Sequence, residues 1–278
     1  MLDSRSPERD ANHGPERRIA AAFETARAEG RAALMPYMMG GFPDRETSAA
    51  VADAYVEAGA DLVELGIPYS DPLADGPVIH AAGTRALVAG ATLHSVLTVC
   101  ERIASRVPVV PMAYANMALA RGAEPFARML ADAGAAGAIV PDLPPEEGGP
   151  VAEALRGAGL ALVPVVAPTT APERRARLCA GAEGFVYVVS DTRTTGERER
   201  LPAALGELVA AARAESPVPV AVGFGIGTAE LAAEVGRIAD GVIIGSRLVR
   251  AVSEAGDADR AAAAVAEFIR DARTAMSR

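Results

Sequence analysis

Apolar positions along this chain follow two alternating rhythms. Short aliphatic and β-branched runs, the pattern of buried strands, fall at Ala33–Met39, Leu62–Leu65, Val109–Ala113, Ala138–Val140, Ala161–Val166, Phe185–Val189, Val218–Val222 and Gly241–Ile244. Between them lie Ala-rich stretches with helical spacing, among them Ser48–Ala58, Leu93–Ser105, Pro125–Ala133, Val151–Gly157, Pro172–Cys179, Pro202–Glu215 and Thr228–Val235. Most open at Ser, Thr or Pro and close at Gly, the residues that start and stop helices. Strand followed by helix, repeated eight times over about 260 residues, predicts a single α/β domain, a (β/α)8 TIM barrel. An extra N-terminal helix at Ile19–Glu29 would close its bottom. A doubly wound sheet would carry a GxGxxG turn after the first strand, where this chain has Met39-Gly40-Gly41-Phe42-Pro43. Residues 1–17 are polar, charged and without periodicity, so a disordered tail is expected there and the barrel over 18–278.

Composition narrows the chemistry. No apolar run nears the roughly 20 residues of a membrane span, and the charged N-terminus lacks the apolar stretch of a signal peptide. Only two cysteines occur, Cys100 and Cys179, which fits a reduced, cytoplasmic setting and no zinc framework. A net charge of −9 without a basic stripe argues against nucleic acid as a partner. Lysine is absent, so all 27 positive side chains are arginine, and neither a Schiff base nor a pyridoxal phosphate (PLP) anchor can form on this chain. Three histidines (His13, His80, His94) are too few and too scattered for a catalytic metal. Carboxylates, tyrosines, hydroxyls and backbone amides remain.

The densest chemistry lies in Leu62–Asp75, where Glu64 sits in an apolar strand and Asp75 in the polar loop after it. Ionising Glu64 inside a barrel costs free energy unless its pKa rises, whereas Asp75 is expected to stay a carboxylate. Two acids pushed apart in pKa suit general acid–base catalysis. The sixth strand carries Tyr187 and leads into a polar loop, Asp191–Arg200, with Thr194-Thr195-Gly196 at its centre, a candidate lid. Gly223–Gly227 after the seventh strand and Gly245-Ser246 after the eighth suit a phosphate, with Gly196 as a further backbone donor. Singly, each has a plainer reading: Glu64 as a structural buried acid, Asp75 as a turn residue, Asp71 as a turn or cap, Tyr187 as core, the glycines as tight turns. Their coincidence at one rim favours a site.

These residues resemble the α subunit of tryptophan synthase. The likeness is carried by Val63-Glu64-Leu65-Gly66-Ile67-Pro68-Tyr69-Ser70-Asp71-Pro72-Leu73-Ala74-Asp75-Gly76-Pro77, by Tyr114-Ala115-Asn116, by Val140–Glu147, by Pro164–Pro168 and by Gly223-Phe224-Gly225-Ile226, and it covers residues 18–275 in order. The resemblance implies a lyase of aromatic amino-acid biosynthesis. It would split indole-3-glycerol phosphate into indole and glyceraldehyde 3-phosphate by a metal-free retro-aldol cleavage. It implies no cofactor in this chain, PLP only in a β partner, and an α2β2 heterotetramer. By the same likeness Glu64 protonates indole C3 and manages the glycerol hydroxyl proton, Asp75 accepts the indole N–H, and Tyr187 positions Glu64. Gly196, Gly225, Gly245 and Ser246 would hold phosphate, Tyr37 and Met112 would line the indole pocket, and Thr195 would clasp Asp75 on lid closure. The chain departs from the family pattern at Met39, where Thr is frequent, and at Asp191 and Arg193, where Arg and Gly are usual. Val78 and His80 replace a frequent Thr and Gln, and Leu119-Ala120-Arg121 falls on the surface used for the β subunit. These departures motivate two alternatives: a free-standing lyase that releases indole, and a weakly catalytic regulator of a β subunit.

Overall fold

The structure, a computed structural model, describes residues 14–189, 201–202, 204–223 and 225–277. Its elements run α1 (Pro15–Ala28), β1 (Ala33–Met39), α2 (Arg45–Glu57), β2 (Val63–Gly66), α3 (Pro77–Val88), α4 (Leu93–Ala104), β3 (Val109–Met112), α5 (Ala115–Arg121), α6 (Ala123–Asp132) and β4 (Gly137–Ile139). They continue with α7 (Gly149–Gly157), β5 (Ala161–Val163), β6 (Val165–Val166), α8 (Pro172–Ala180), β7 (Val186–Val189), α9 (Leu205–Glu215), β8 (Val220–Gly223), α10 (Ala229–Gly236), β9 (Gly241–Ile244), α11 (Ser246–Ala255) and α12 (Ala258–Met276).

All paired strands are parallel, in the order β5-β4-β3-β2-β1-β9-β8-β7-β6. The two ends of that sheet are consecutive pieces of the run expected as one strand, Ala161–Val166. Pro164 has no N–H to donate, so the ladder breaks there: β5 pairs with β4 and β6 with β7. The Pro164 carbonyl still accepts from Tyr187 N at 2.9 Å, and the sheet closes into the expected TIM barrel. Outside this split strand a cleft of about 510 Å³ separates α7 from α8, and Leu162, Val165 and Leu178 on its walls are only half-buried.

Helix α1 starts at Pro15 and so takes in residues 15–17, which the sequence reading gave to the tail. Proline in the first turn is a start signal, masked there by the charged Glu16-Arg17-Arg18 that follows it. Helices α3, α5 and α12 were not among the expected stretches. Pro77 in the first turn opens α3, while Asp257 caps α12 by accepting from Arg260 N at 2.8 Å.

Strand alternation sorts the core into two sets. Leu34, Val63, Leu65, Val109, Ala138, Val186, Val188, Val220, Val222, Val242 and Ile244 face the helices. Ala33, Met35, Val110, Ile139, Ala161, Val163, Phe185, Ala221 and Ile243 fill the barrel interior, and Ile19, Phe23 and Ala26 of α1 pack against them as a floor. A column of rings climbs from that floor: Phe23 to Phe185 at 5.9 Å between centroids, then Phe185 to Tyr187 at 6.4 Å.

Beside the floor, Arg31 is buried yet fully satisfied. Its guanidinium meets Asp61 at 2.5 and 2.8 Å, Glu29 at 2.8 Å and the Ala32 carbonyl at 3.0 Å. Asp61 also accepts from Leu34 N at 2.7 Å, and Arg273 of α12 reaches Glu29 at 2.7 Å and the Gly59 carbonyl at 3.0 Å. The network ties α1, β1, the end of α2 and α12 together. Among the described residues no single helix is long and apolar enough to cross a membrane.

Candidate active site

The alternation that puts Val63 and Leu65 against helices puts Glu64 inside the barrel, in register with Tyr37 on β1 and Val110 on β3. Glu64 is 2% exposed. Its Oε2 has no hydrogen-bond partner among the described residues. Removal from water pushes its pKa from 4.5 up to about 8, with the negative charge of Asp75 adding to the effect. The carboxyl group is therefore mostly protonated at neutral pH: a buried acid with a proton to give and no acceptor for it among the described residues.

Asp75 lies two residues before Pro77, at the N-terminal end of α3, whose dipole favours a carboxylate. Its Oδ1 accepts from the Tyr114 hydroxyl at 2.8 Å, and that hydroxyl accepts from Ala74 N at 3.1 Å. Partial burial raises the Asp75 pKa above its usual value, opposed by the Tyr114 bond and by nearby His80. The Tyr114 ring stacks on Tyr69 with centroids 5.2 Å apart, and Asn116 donates to the Tyr69 hydroxyl at 3.1 Å. Tyr114 is a site residue that the sequence presents only as part of the Tyr114-Ala115-Asn116 motif. Its signal was a tyrosine directly after a barrel strand, at the face where β2 presents its acids. Replacing Tyr114 by Phe should raise the Asp75 pKa and cut kcat about 10-fold, as a hydrogen bond to a charged group is worth about 1.5–3 kcal/mol. A kcat–pH profile checks this: its acid limb should move to higher pH.

Two tyrosines lean over two glycines at the mouth. A Cβ on Gly66 would sit 2.1 Å from the Tyr37 hydroxyl, and one on Gly223 would sit 2.3 Å from the Tyr187 hydroxyl. Both hydroxyls are held well above their usual pKa, Tyr37 by burial and the charges of Asp75 and Glu64, Tyr187 by burial and Glu64. Glu64 is thus flanked by tyrosines that stay neutral. Gly223→Ala must displace the Tyr187 ring, with an expected stability loss of about 1–3 kcal/mol and a fall in turnover with it. Chemical denaturation and steady-state rates on the variant measure both.

Across the mouth, α11 begins at Ser246 with Gly245 as its N-cap and no side-chain cap on its first-turn amides. Ser246 is buried, and a Cβ on Gly245 would sit 3.7 Å from Tyr37. A helix end presenting free amides is an anion site. Met112, half-buried at the end of β3, adds an apolar wall. Gly225 follows β8 at the same face. Thr195, Gly196 and the loop 191–200 lie outside the described residues, as does Phe224. Asp142, a further acid at this face, is committed to capping α5, accepting from Ala115 N at 2.7 Å. Asp71 is exposed and takes a hydrogen bond from Ser70 at 2.5 Å.

The chain is similar to known proteins in both sequence and fold. The family model described as tryptophan synthase alpha chain matches residues 23–277. Tryptophan synthase alpha chain of Roseiflexus sp. (strain RS-1) is 46% identical over 259 residues, covering 92% of this chain and 99% of that one. The Halorhodospira halophila protein of the same description is 44% identical over 264 residues, or 94% and 95% of the two chains. Among solved structures, tryptophan synthase of Mycobacterium tuberculosis superposes with TM-score 0.87 at 38% identity, covering 94% of this chain and 98% of that chain. Tryptophan synthase subunit alpha of Legionella pneumophila str. Paris gives 0.83 at 36% identity, with 93% and 98% covered.

Proposed function

The chain belongs to the tryptophan synthase alpha chain family, and from that premise we propose how its own residues perform the family's reaction. That reaction is the cleavage of indole-3-glycerol phosphate to indole and glyceraldehyde 3-phosphate, carried out without a cofactor in this subunit. Phosphate binds the amides of Gly225, Gly245 and Ser246, with Gly196 closing over it. The indole ring lies against Tyr37 and Met112, and its N–H points to the Asp75 carboxylate. Glu64, protonated at neutral pH, gives its proton to indole C3 while Asp75 stabilises the positive charge on the ring. The bond between C3 and the glycerol chain then breaks, its electrons restore the aromatic ring, and the hydroxyl proton of the new aldehyde carbon passes to the Glu64 carboxylate. One residue supplies and recovers one proton, so each turnover leaves it ready for the next. Tyr187 fixes the Glu64 side chain, and Thr195 meets Asp75 as the loop closes.

The observation that carries this reading is Glu64 itself, an acid buried among apolar walls with a pKa near 8 and an unpaired oxygen. A carboxyl kept there for structure alone would have an internal partner. Partnership with a PLP-dependent β subunit in an α2β2 assembly is the second part of the proposal. Leu73, on the loop after β2, and Leu119, on α5 after β3, are 87% and 61% exposed, and Tyr114 joins the two connections through Ala74 N. Large apolar side chains left bare on adjoining connections favour a protein contact. Indole release from indole-3-glycerol phosphate, measured on the purified chain with and without a matched β subunit, tests both parts. Slow turnover that rises on adding the β subunit is the expected result. Equal turnover in isolation would replace the partnership by a free-standing indole-releasing lyase, and no turnover in either case would leave only a regulator.

A further inference from the structure

At the opposite end of the barrel from the catalytic mouth, a cleft of about 410 Å³ opens between the C-terminal ends of α1, α10 and α12. Small residues hollow it out: Gly30, Ala32, Ala233, Gly236, Ala239 and Ala275. Its charged lining is one-sided, with Arg27, Arg31, Arg213 and Arg237 against the single carboxylate of Asp240. In a chain of net charge −9, that is a local reversal of sign.

The four arginines are not equally committed. Arg31 spends its donors on Glu29, Asp61 and the Ala32 carbonyl, so its charge is neutralised and it offers no free N–H. Arg213 reaches Asp240 only at 3.2 and 3.3 Å, and that carboxylate already accepts from Val220 N at 2.9 Å. The comparable pair Arg175–Glu215 closes to 2.9 Å at both contacts, within the range of charge-assisted bonds. Arg27 and Arg237 are exposed and have no carboxylate partner among the described residues. One cation per helix end would satisfy the dipoles of α1 and α10. It would not require a cleft between them, nor a third guanidinium on a stretched pair.

We propose that this cleft binds a small polyanion bearing phosphate groups, held by Arg27, Arg237 and a reoriented Arg213. Guanidinium forks match phosphate oxygens in pairs. The volume falls within the range of ordinary small-molecule sites and exceeds what one phosphate fills. The site is separate from the substrate phosphate site, which lies at the other end of the strands.

Inorganic pyrophosphate is a suitable probe, titrated into the full chain by calorimetry at low ionic strength. Two classes of site are expected, one at the catalytic mouth and one at this cleft. The double variant Arg27→Gln/Arg237→Gln should keep the first and weaken the second about 10-fold or more, with indole release unchanged. Arg213→Gln alone should weaken the second site and leave the first. The proposal is overturned if the double variant and the parent give the same isotherm. It is equally overturned if potassium chloride at matched ionic strength raises the melting temperature of the parent as much as pyrophosphate does.

Discussion

Glu64→Gln should leave a folded barrel whose cleavage of indole-3-glycerol phosphate is slowed by about 10²–10⁴-fold, the usual cost of removing a general acid–base group. Glutamine fills the same space and keeps a hydrogen-bonding end, but it can neither give a proton to indole C3 nor take one from the hydroxyl. Loss should therefore appear in kcat, with KM nearly unchanged. The parent rate should fall as pH rises through about 8, where Glu64 loses its proton, and that alkaline limb should vanish in the variant. Stability should move the other way. The folded state holds this proton up to about pH 8, whereas the unfolded chain releases it near 4.5. Its contribution is therefore fully present below 4.5 and is lost as pH rises through the folded value. Glu64→Gln escapes that loss, so the variant should gain on the parent across that window, reaching on the order of several kcal/mol above pH 8. Denaturant melts of both proteins at pH 5 and pH 9 read the difference. Unchanged kcat would sink the catalytic assignment, and parallel pH–stability curves would sink the raised pKa.

The second large effect is on the fold. Asp61→Ala should cost about 3–5 kcal/mol, because it strands the Arg31 guanidinium, whose side chain is 1% exposed, without its bidentate partner. It also orphans Leu34 N at the start of the barrel. Glu29, 45% exposed at its side chain, is too well solvated to compensate. Removing both charges with Arg31→Met/Asp61→Ala should recover much of the loss, since an apolar filling avoids burying an unpaired cation. A thermal or urea denaturation series over the three variants measures this. Equal destabilisation of single and double variants would mean that the network contributes through packing alone.

Much of this molecule is legible in its sequence, and the reasons are local. Strand β1 and strand β9 fall at the limits read from the apolar runs, because buried parallel strands are continuous apolar segments bounded by turns. The position of Glu64 followed from alternation, and its raised pKa from burial. What stayed hidden depends on partners far apart in sequence. Nothing around Tyr114 announces that its hydroxyl ends on Asp75, because that contact is made by two loops meeting over the mouth. The need for glycine at 66 and 223 comes from tyrosine rings on neighbouring or nearby strands. The split at Pro164 was visible as a proline, but its consequence depends on which strands stand on either side. The arginine cleft gathers residues from α1, α9 and the end of α10, a grouping that only the closed barrel creates.

That split gives the ring a clasp. Everywhere else neighbouring strands are joined edge to edge, but between β5 and β6 the sheet is closed by the chain's own covalent path through one proline. Outside the clasp lies the cleft between α7 and α8, where Leu162 is only half-buried. Any breathing of the barrel should begin there. Tyr187 is one strand from it on β7, whereas Glu64 on β2 is three strands away on the other side. The seam is thereby placed nearer to Tyr187 than to Glu64. The buried acid sits in the continuously hydrogen-bonded arc of the ring.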